Sequence, residues 1–306
     1  MPLHIKTPLL PSSALSRAAG RSIVLKMEAL QPSGSFKLRG IGHACETYKA
    51  RGAQRFIASS GGNAGLAVAY AGRALAVPVT VVVPETTPLR ARQLLDLEGA
   101  EVIVQGASWQ EANERAQSMI GAADAFIHPF DNPLLWEGHA SMIDEVAESG
   151  ARPDAVALSV GGGGLLSGVV EGLQRNGWGG VPVVAVETHG AASLGAAAVA
   201  GERVTLDAIT TIATSLGAKQ ICARAFDLLA QHPILPVQVS DAEALEACAR
   251  FLDDHRVLVE PACGASLALA YGAAEVLAPF STILMIVCGG STMSLAQMQE
   301  WQQRPS

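Results

Sequence analysis

Short runs dense in valine and isoleucine alternate with alanine- and leucine-rich stretches along almost the whole chain, and this alternation limits the possible fold more than any other feature. Residues 23–27, 55–59, 79–83, 101–105, 125–128, 155–160, 183–187 and 282–287 read as strands. Helical stretches at 36–51, 64–75, 89–98, 109–120, 134–148, 165–175 and 241–253 lie between them. Strands apolar on both faces belong to a sheet covered on both sides by helices, so the pattern predicts an α/β fold with buried, mostly parallel strands. Breaks at Gly40 and Gly42 and at Pro129 and Asn132-Pro133 set off residues 42–131 as a small domain. It is inserted in a larger one made of 1–41 and 132–306.

With 306 residues the chain is long enough to bury about three quarters of its unfolded surface, and needs no covalent staples. Hydrophobic residues at 49% against 16% charged exclude a disordered chain, and a formal net charge of -7 argues against nucleic-acid binding. Cys45, Cys222, Cys248, Cys263 and Cys288 are scattered, odd in number and form no CxxC pair, so neither a disulfide framework nor a zinc site is expected. The N-terminus has no continuous apolar region, and no uncharged stretch reaches membrane-spanning length without glycine or proline breaks. The expectation is a soluble, cytoplasmic protein. Since the chain stops soon after Trp301, no regulatory domain is expected.

Three loops carry chemistry. In Pro32-Ser33-Gly34-Ser35-Phe36-Lys37 a lysine stands in the first turn of a helix, with Ser35 the expected N-cap. The positive helix terminus disfavours its ammonium form and makes a nucleophilic amine more accessible, which suits Schiff-base chemistry. Taken alone, the hexapeptide fits a solvated surface lysine better. Gly161-Gly162-Gly163-Gly164, between a strand and a helix, exposes backbone N–H groups at a helix N-terminus, a cradle for an anion. Dinucleotide binding is the rival there, since Glu187 ends the following strand, but Ser167 and Leu166 break G-x-G-x-x-G in both frames. Ser60-Gly61-Gly62-Asn63 offers N–H donors to a carboxylate, and Asn63 can donate to a ring hydroxyl or merely cap its helix. Cys288, at the exit of the last strand, lies where α/β proteins place ligands, or is an inert buried thiol.

Taken in order, Ser33-Gly34-Ser35-Phe36-Lys37, Ser60-Gly61-Gly62-Asn63-Ala64-Gly65, Gly161-Gly162-Gly163-Gly164-Leu165, Glu187-Thr188, Glu260-Pro261-Ala262-Cys263-Gly264 and Cys288-Gly289-Gly290-Ser291 resemble the motif series of the fold-type II pyridoxal-phosphate enzymes. Among these the chain is most similar to the liver-type L-serine/L-threonine dehydratases. The resemblance implies the two open, mostly parallel sheets of the tryptophan synthase β-like fold and a homodimer.

It also implies the site. Lys37 holds pyridoxal 5'-phosphate as a Schiff base, Phe36 lies against the ring, Asn63 bonds the ring hydroxyl, and Gly161, Gly162, Gly163, Gly164 and Leu165 hold the phosphate. Cys288 faces the pyridine nitrogen. Ser60, Gly61 and Ala64 receive the substrate carboxylate. A monovalent cation, potassium, is held by Glu187 and by the carbonyls of Gly161, Ala191, Leu216 and Ala218. A thiol titrates near 8.5 and cannot keep the ring nitrogen protonated, so the weak electron sink favours elimination over transamination. Lys37 takes the Cα proton, the cofactor phosphate is the acid for departing water, and the aminoacrylate hydrolyses to a 2-oxo acid and ammonia.

Gly61 stands where close relatives often carry alanine, and a slightly wider substrate cavity is expected from it. His43, His139 and His189 are expected on helix faces, satisfied by neighbours, and Glu187 is expected to be structural or cation-linked rather than a base. Two other readings keep the scaffold: a racemase or β-replacement enzyme with the same cofactor, and a non-catalytic amino-acid or nucleotide-binding protein.

Overall fold

A computed structural model describes residues 1–303. In chain order the regular elements are β1 (Leu9–Pro11), α1 (Ser13–Ala19), β2 (Ser22–Lys26), α2 (Lys37–Ala50), β3 (Arg55–Ala58), α3 (Asn63–Leu75), β4 (Val79–Val83), α4 (Leu89–Leu97), β5 (Glu101–Val104), α5 (Trp109–Ser118) and β6 (Asp124–Phe126). There follow α6 (Pro133–Glu148), β7 (Ala155–Ser159), α7 (Gly164–Arg175), β8 (Val183–Thr188), α8 (Ser193–Ala200), α9 (Ala223–Gln231), β9 (Ile234–Val239), α10 (Asp241–His255), α11 (Pro261–Tyr271), β10 (Thr282–Ile286) and α12 (Leu295–Gln302).

Two sheets result. Six strands in the order β1-β2-β10-β7-β8-β9 form the larger, and four in the order β5-β4-β3-β6 the smaller. Every pairing is parallel except that of β1 with β2. Central strands β4, β7 and β8 are buried at every position, as covered parallel sheets require.

The pattern of alternation therefore reads correctly as two α/β sheets, while several elements escape it, α1, α8, α12, β1 and β9 among them. β9 has Pro236 at its centre, which demotes a run as a strand candidate, yet a proline is tolerated because β9 is an edge with only β8 beside it. β1 is three residues long, and the apolar, alanine-rich α8 has no polar face to give it a helical period. Gly40 and Gly42 do not break the chain: they lie inside α2, where Gly40 lets His139 and the Leu135 carbonyl of α6 come within 2.4–2.8 Å of where a Cβ would sit.

Two caps differ from expectation. α2 begins at Lys37 and Phe36 occupies its cap position, while Ser35 forms an isolated bridge with Gly289 and its buried hydroxyl has no partner. Ser240, not Asp241, caps α10: its Oγ accepts from the Glu243 N–H while Glu243 accepts from the Ser240 N–H, a reciprocal pair. Asp241 instead accepts from the Ile212 N–H at 2.9 Å and from the Thr211 hydroxyl, tying down the loop before residue 214.

Behind α2 lies a largely buried ion network. The Arg39 guanidinium makes a fork to Glu28 at 2.7 and 2.9 Å and a second to Glu145 at 2.7 and 2.8 Å. Lys26 donates to Glu145 and to the Thr7 carbonyl. Arg39 stands two residues beyond Lys37, so these forks fix the helical turn that carries the lysine against β2 and α6.

Candidate active site

The loops at the carboxyl edges of both sheets converge between them. Lys37 extends from the first residue of α2 across the Phe36 ring, 5.1 Å from its centroid, and donates from Nζ to the Pro129 carbonyl at 2.5 Å. Phe36 stacks in turn against His139, with ring centroids 4.9 Å apart. Burial lowers the Lys37 ammonium to about 8, with nearby Cys288 and Glu260 pulling the other way. Half-buried in a cleft, it is not a solvated surface lysine.

The glycine tetrad lies one residue beyond that carbonyl. Phe130 packs so tightly on it that a Cβ at Gly162 would meet the ring at 2.4 Å, and one at Gly164 the Phe130 carbonyl at 2.8 Å. Gly163 has φ +92°, a left-handed backbone that glycine adopts without strain. From Gly161 to Leu165 the five successive backbone N–H groups find no acceptor among the described residues. Gly161 packs against Ser215 and Leu216.

The Ser60–Gly62 turn opens α3. Ser60 Oγ accepts from the Gly62 N–H, and the N–H groups of Gly61, Asn63 and Ala64 have no acceptor among the described residues. Gly65 lets the helix approach so closely that a Cβ there would lie 1.7 Å from the Ser60 carbonyl. Gly61 does not widen the cavity in the direction of its missing methyl. A Cβ at Gly61 would meet Thr87 Cγ2 at 2.6 Å and Val83 Cγ1 at 3.3 Å, because Thr87 already fills that space.

Asn63 joins α3 to the loops of the larger sheet. Its Oδ1 accepts from the Ser291 N–H at 2.9 Å, and its Nδ2 donates to Glu260 Oε1 at 2.6 Å and reaches Ser215 Oγ at 3.5 Å. Ser291 Oγ donates to the Ser33 carbonyl, and the Phe36 N–H to the Cys288 carbonyl, so the last loop and the lysine loop are laced together. The Cys288 thiol is raised well above its usual range by a hydrogen bond to Cys263 and by burial. All five cysteines are free and buried.

Glu260 entered the sequence reading only as part of a motif and was given no role in the site. Burial raises it to about 7, against the lowering effect of hydrogen bonds from Ser215 and Asn63 and of the Lys37 charge. A signal existed: glutamate is a poor N-cap, and Glu260 sits at the cap of the apolar α11 without capping it, so its carboxylate is used elsewhere. Pro129, Phe130, Ser215 and Thr87 were also missed, since nothing in their local sequence points into a cleft.

Glu187 is fully buried beyond the tetrad, accepting from the Leu194 and Gly195 N–H groups at 2.7 and 2.8 Å at the start of α8. Burial raises it to about 7, opposed by those two bonds. Ala191 ends the turn after β8, and the Leu216 carbonyl accepts from the Ala218 N–H at 2.7 Å. Among the described residues no group of three or more His, Cys, Asp or Glu side chains could hold a metal ion. His139 is buried and held neutral by burial and by the Lys37 and Arg39 charges; its Nδ1 accepts from the Gly40 N–H and its Nε2 has no partner. His43 faces Glu137 at 3.4 Å, and His189 faces Gln238 at 3.1 Å.

The family model described as "Pyridoxal-phosphate dependent enzyme" matches residues 1–289. A Homo sapiens protein named L-serine dehydratase/L-threonine deaminase is 49% identical, covering 99% of this chain and 96% of the relative. L-serine dehydratase of Dictyostelium discoideum is 42% identical, covering 99% and 92%. The crystal structure of a fungal L-serine ammonia-lyase from Rhizomucor miehei superposes with a TM-score of 0.94 at 38% identity, covering 99% of each chain. A serine racemase structure from Dictyostelium discoideum gives 0.83 at 27% identity, covering 94% and 93%. With its two mostly parallel sheets, its cleft lysine and a family match running over nearly the whole length, this chain belongs to the pyridoxal-phosphate dependent enzymes.

Proposed function

We propose that this protein is an ammonia-lyase that converts L-serine to pyruvate and ammonia, and L-threonine to 2-oxobutanoate and ammonia, using pyridoxal 5'-phosphate. The observation that carries this reading is the meeting of one depressed-pKa lysine with a row of unpartnered N–H groups, Lys37 and the tetrad being joined through Pro129 and Phe130.

The residues present fit the cofactor. Five N–H groups at a helix N-terminus suit a phosphate, and Gly162 and Gly164 there cannot carry a Cβ without displacing Phe130. Bound there, pyridoxal phosphate supplies an aldehyde that condenses with amines and a ring that acidifies the Cα–H bond of an amino acid. Lys37 would anchor the aldehyde and, when free of it, would accept the Cα proton; an amine near 8 exchanges protons readily around neutral pH. Asn63 would donate to the ring hydroxyl, Phe36 would lie against the ring, and residues 161–165 would bind the phosphate. Ser60, Gly61 and Ala64 orient the substrate carboxylate. The Cys288 thiol, raised well above its usual range, keeps its own proton and would offer the ring nitrogen only a weak S–H donor, a setting that favours elimination over transamination.

A potassium ion beside the tetrad, held by Glu187 and by the carbonyls of Gly161, Ala191, Leu216 and Ala218, completes the reading. Residues 42–131 form the small unit that brings the carboxylate-binding turn to a larger unit of 1–41 and 132–306. We place the protein in the cytoplasm as a homodimer. Five unbridged thiols support a reducing compartment, and no helix among the described residues is long and apolar enough to cross a membrane.

The test is 2-oxo acid release from L-serine and L-threonine by wild type and Lys37→Ala, in potassium chloride and in tetramethylammonium chloride. Wild type turns over both substrates and is faster in potassium, and Lys37→Ala loses at least about a thousandfold. Equal turnover by the two proteins removes Lys37 from the mechanism. D-serine formation without pyruvate makes the protein a racemase.

A further inference from the structure

The Asn63 carboxamide is held from both ends. Its oxygen meets a backbone donor, the Ser291 N–H at 2.9 Å, and its nitrogen meets an acceptor, Glu260 Oε1 at 2.6 Å. Reversing the amide would set donor against donor at Ser291 and acceptor against acceptor at Glu260, so both contacts select the same orientation. One amide N–H is thereby committed to Glu260. The other reaches only Ser215 Oγ, at the 3.5 Å limit of a hydrogen bond, and is the donor left over for a ligand.

Glu260 is suited to such a task by its surroundings. It is buried, it precedes Pro261 at the start of α11, and it leaves its own helix uncapped. A Cβ at Gly290 would lie 2.5 Å from the Glu260 nitrogen, so the backbone carrying it is clamped against the same loop that supplies Ser291. A carboxylate spent in this way, in a chain that gains no cap from it, is explained by its partner rather than by its helix.

We propose that Glu260 is a positioning residue that, together with the Ser291 N–H, fixes the Asn63 carboxamide so that its free N–H is presented to the ring hydroxyl of the cofactor. The proposal rests on the reading of Asn63 given above. It makes no use of Glu260 as an acid or base: what is needed is an acceptor at that point. Glutamine retains one and alanine does not.

The experiment uses holoenzyme and reads the cofactor directly. The dissociation constant for pyridoxal phosphate and the visible absorption maximum of the bound cofactor are measured for wild type, Glu260→Gln, Glu260→Ala, Asn63→Ala and the double variant Glu260→Ala/Asn63→Ala. Glu260→Ala weakens binding about tenfold and shifts the band, as loss of an oriented donor to a charged oxygen does. Glu260→Gln stays within about threefold of wild type with its band in place. The double variant is no worse than Asn63→Ala, because Glu260 acts only through Asn63. Where Glu260→Ala does not fold, Glu260→Met, which refills the volume without an acceptor, carries the same comparison. Binding and band unchanged in Glu260→Ala, or losses that add in the double variant, overturn the positioning role alone. Wild type that binds no pyridoxal phosphate, and leaves Lys37 unlabelled after borohydride, overturns the parent reading and this one with it.

Discussion

At Gly61 the side chain is absent, and a neighbour has taken its space. The methyl of Thr87 lies 2.6 Å from where a Cβ would sit, with Val83 behind it, so the two positions form one packing unit. Gly61→Ala therefore overpacks this wall and costs about 1–3 kcal/mol, read as a fall in the urea midpoint at constant slope. Thr87→Ser removes only the clashing methyl. In the double variant most of the loss returns, and a cycle coupling of at least about 0.5 kcal/mol is expected. Purely additive losses would show that the backbone, rather than Thr87, gives way.

Among the elements, α10 tests whether a cap and its neighbour have separate tasks. Ser240→Ala removes the acceptor of the Glu243 N–H and is expected to cost about 1 kcal/mol in urea unfolding. Asp241→Ala leaves that cap in place and frees the Thr211 hydroxyl and the Ile212 N–H, so limited proteolysis near residue 212 accelerates while the Ser240 effect persists beside it. The sequence placed the cap one residue late because serine and aspartate are both good N-caps and stand side by side.

The same physics explains what else could be read. Buried strands such as 79–83 announce themselves by four valines around a single threonine, and the tetrad by four glycines that a simple turn does not need. β9 was hidden by Pro236, and Glu260 by its place in a motif that looks like a helix start. Lys37, Asn63 and the tetrad were legible because loop, helix terminus and residue type agree. Their partners Pro129, Phe130 and Ser215 were not, since they meet the site only through the tertiary fold.

For the molecule as a whole, stability and site geometry meet in the Arg39 network. Arg39→Met leaves Glu28 buried with only the Thr7 hydroxyl and Gln31 as partners, and strips Glu145 of its fork. A loss of about 3–5 kcal/mol is expected from chemical denaturation, since one member of a buried pair is left uncompensated. The first turn of α2 loosens with it, so the variant also binds pyridoxal phosphate more weakly.

Asn63 carries a last consequence. Its backbone belongs to a helix over the four-stranded sheet, whereas Glu260, Ser291 and Ser215 all belong to segments of the six-stranded one. The same side chain therefore ties the two sheets' segments together at the place where a ligand would be held. By thermodynamic reciprocity, a ligand that binds better when this tie is made strengthens the tie by the same factor.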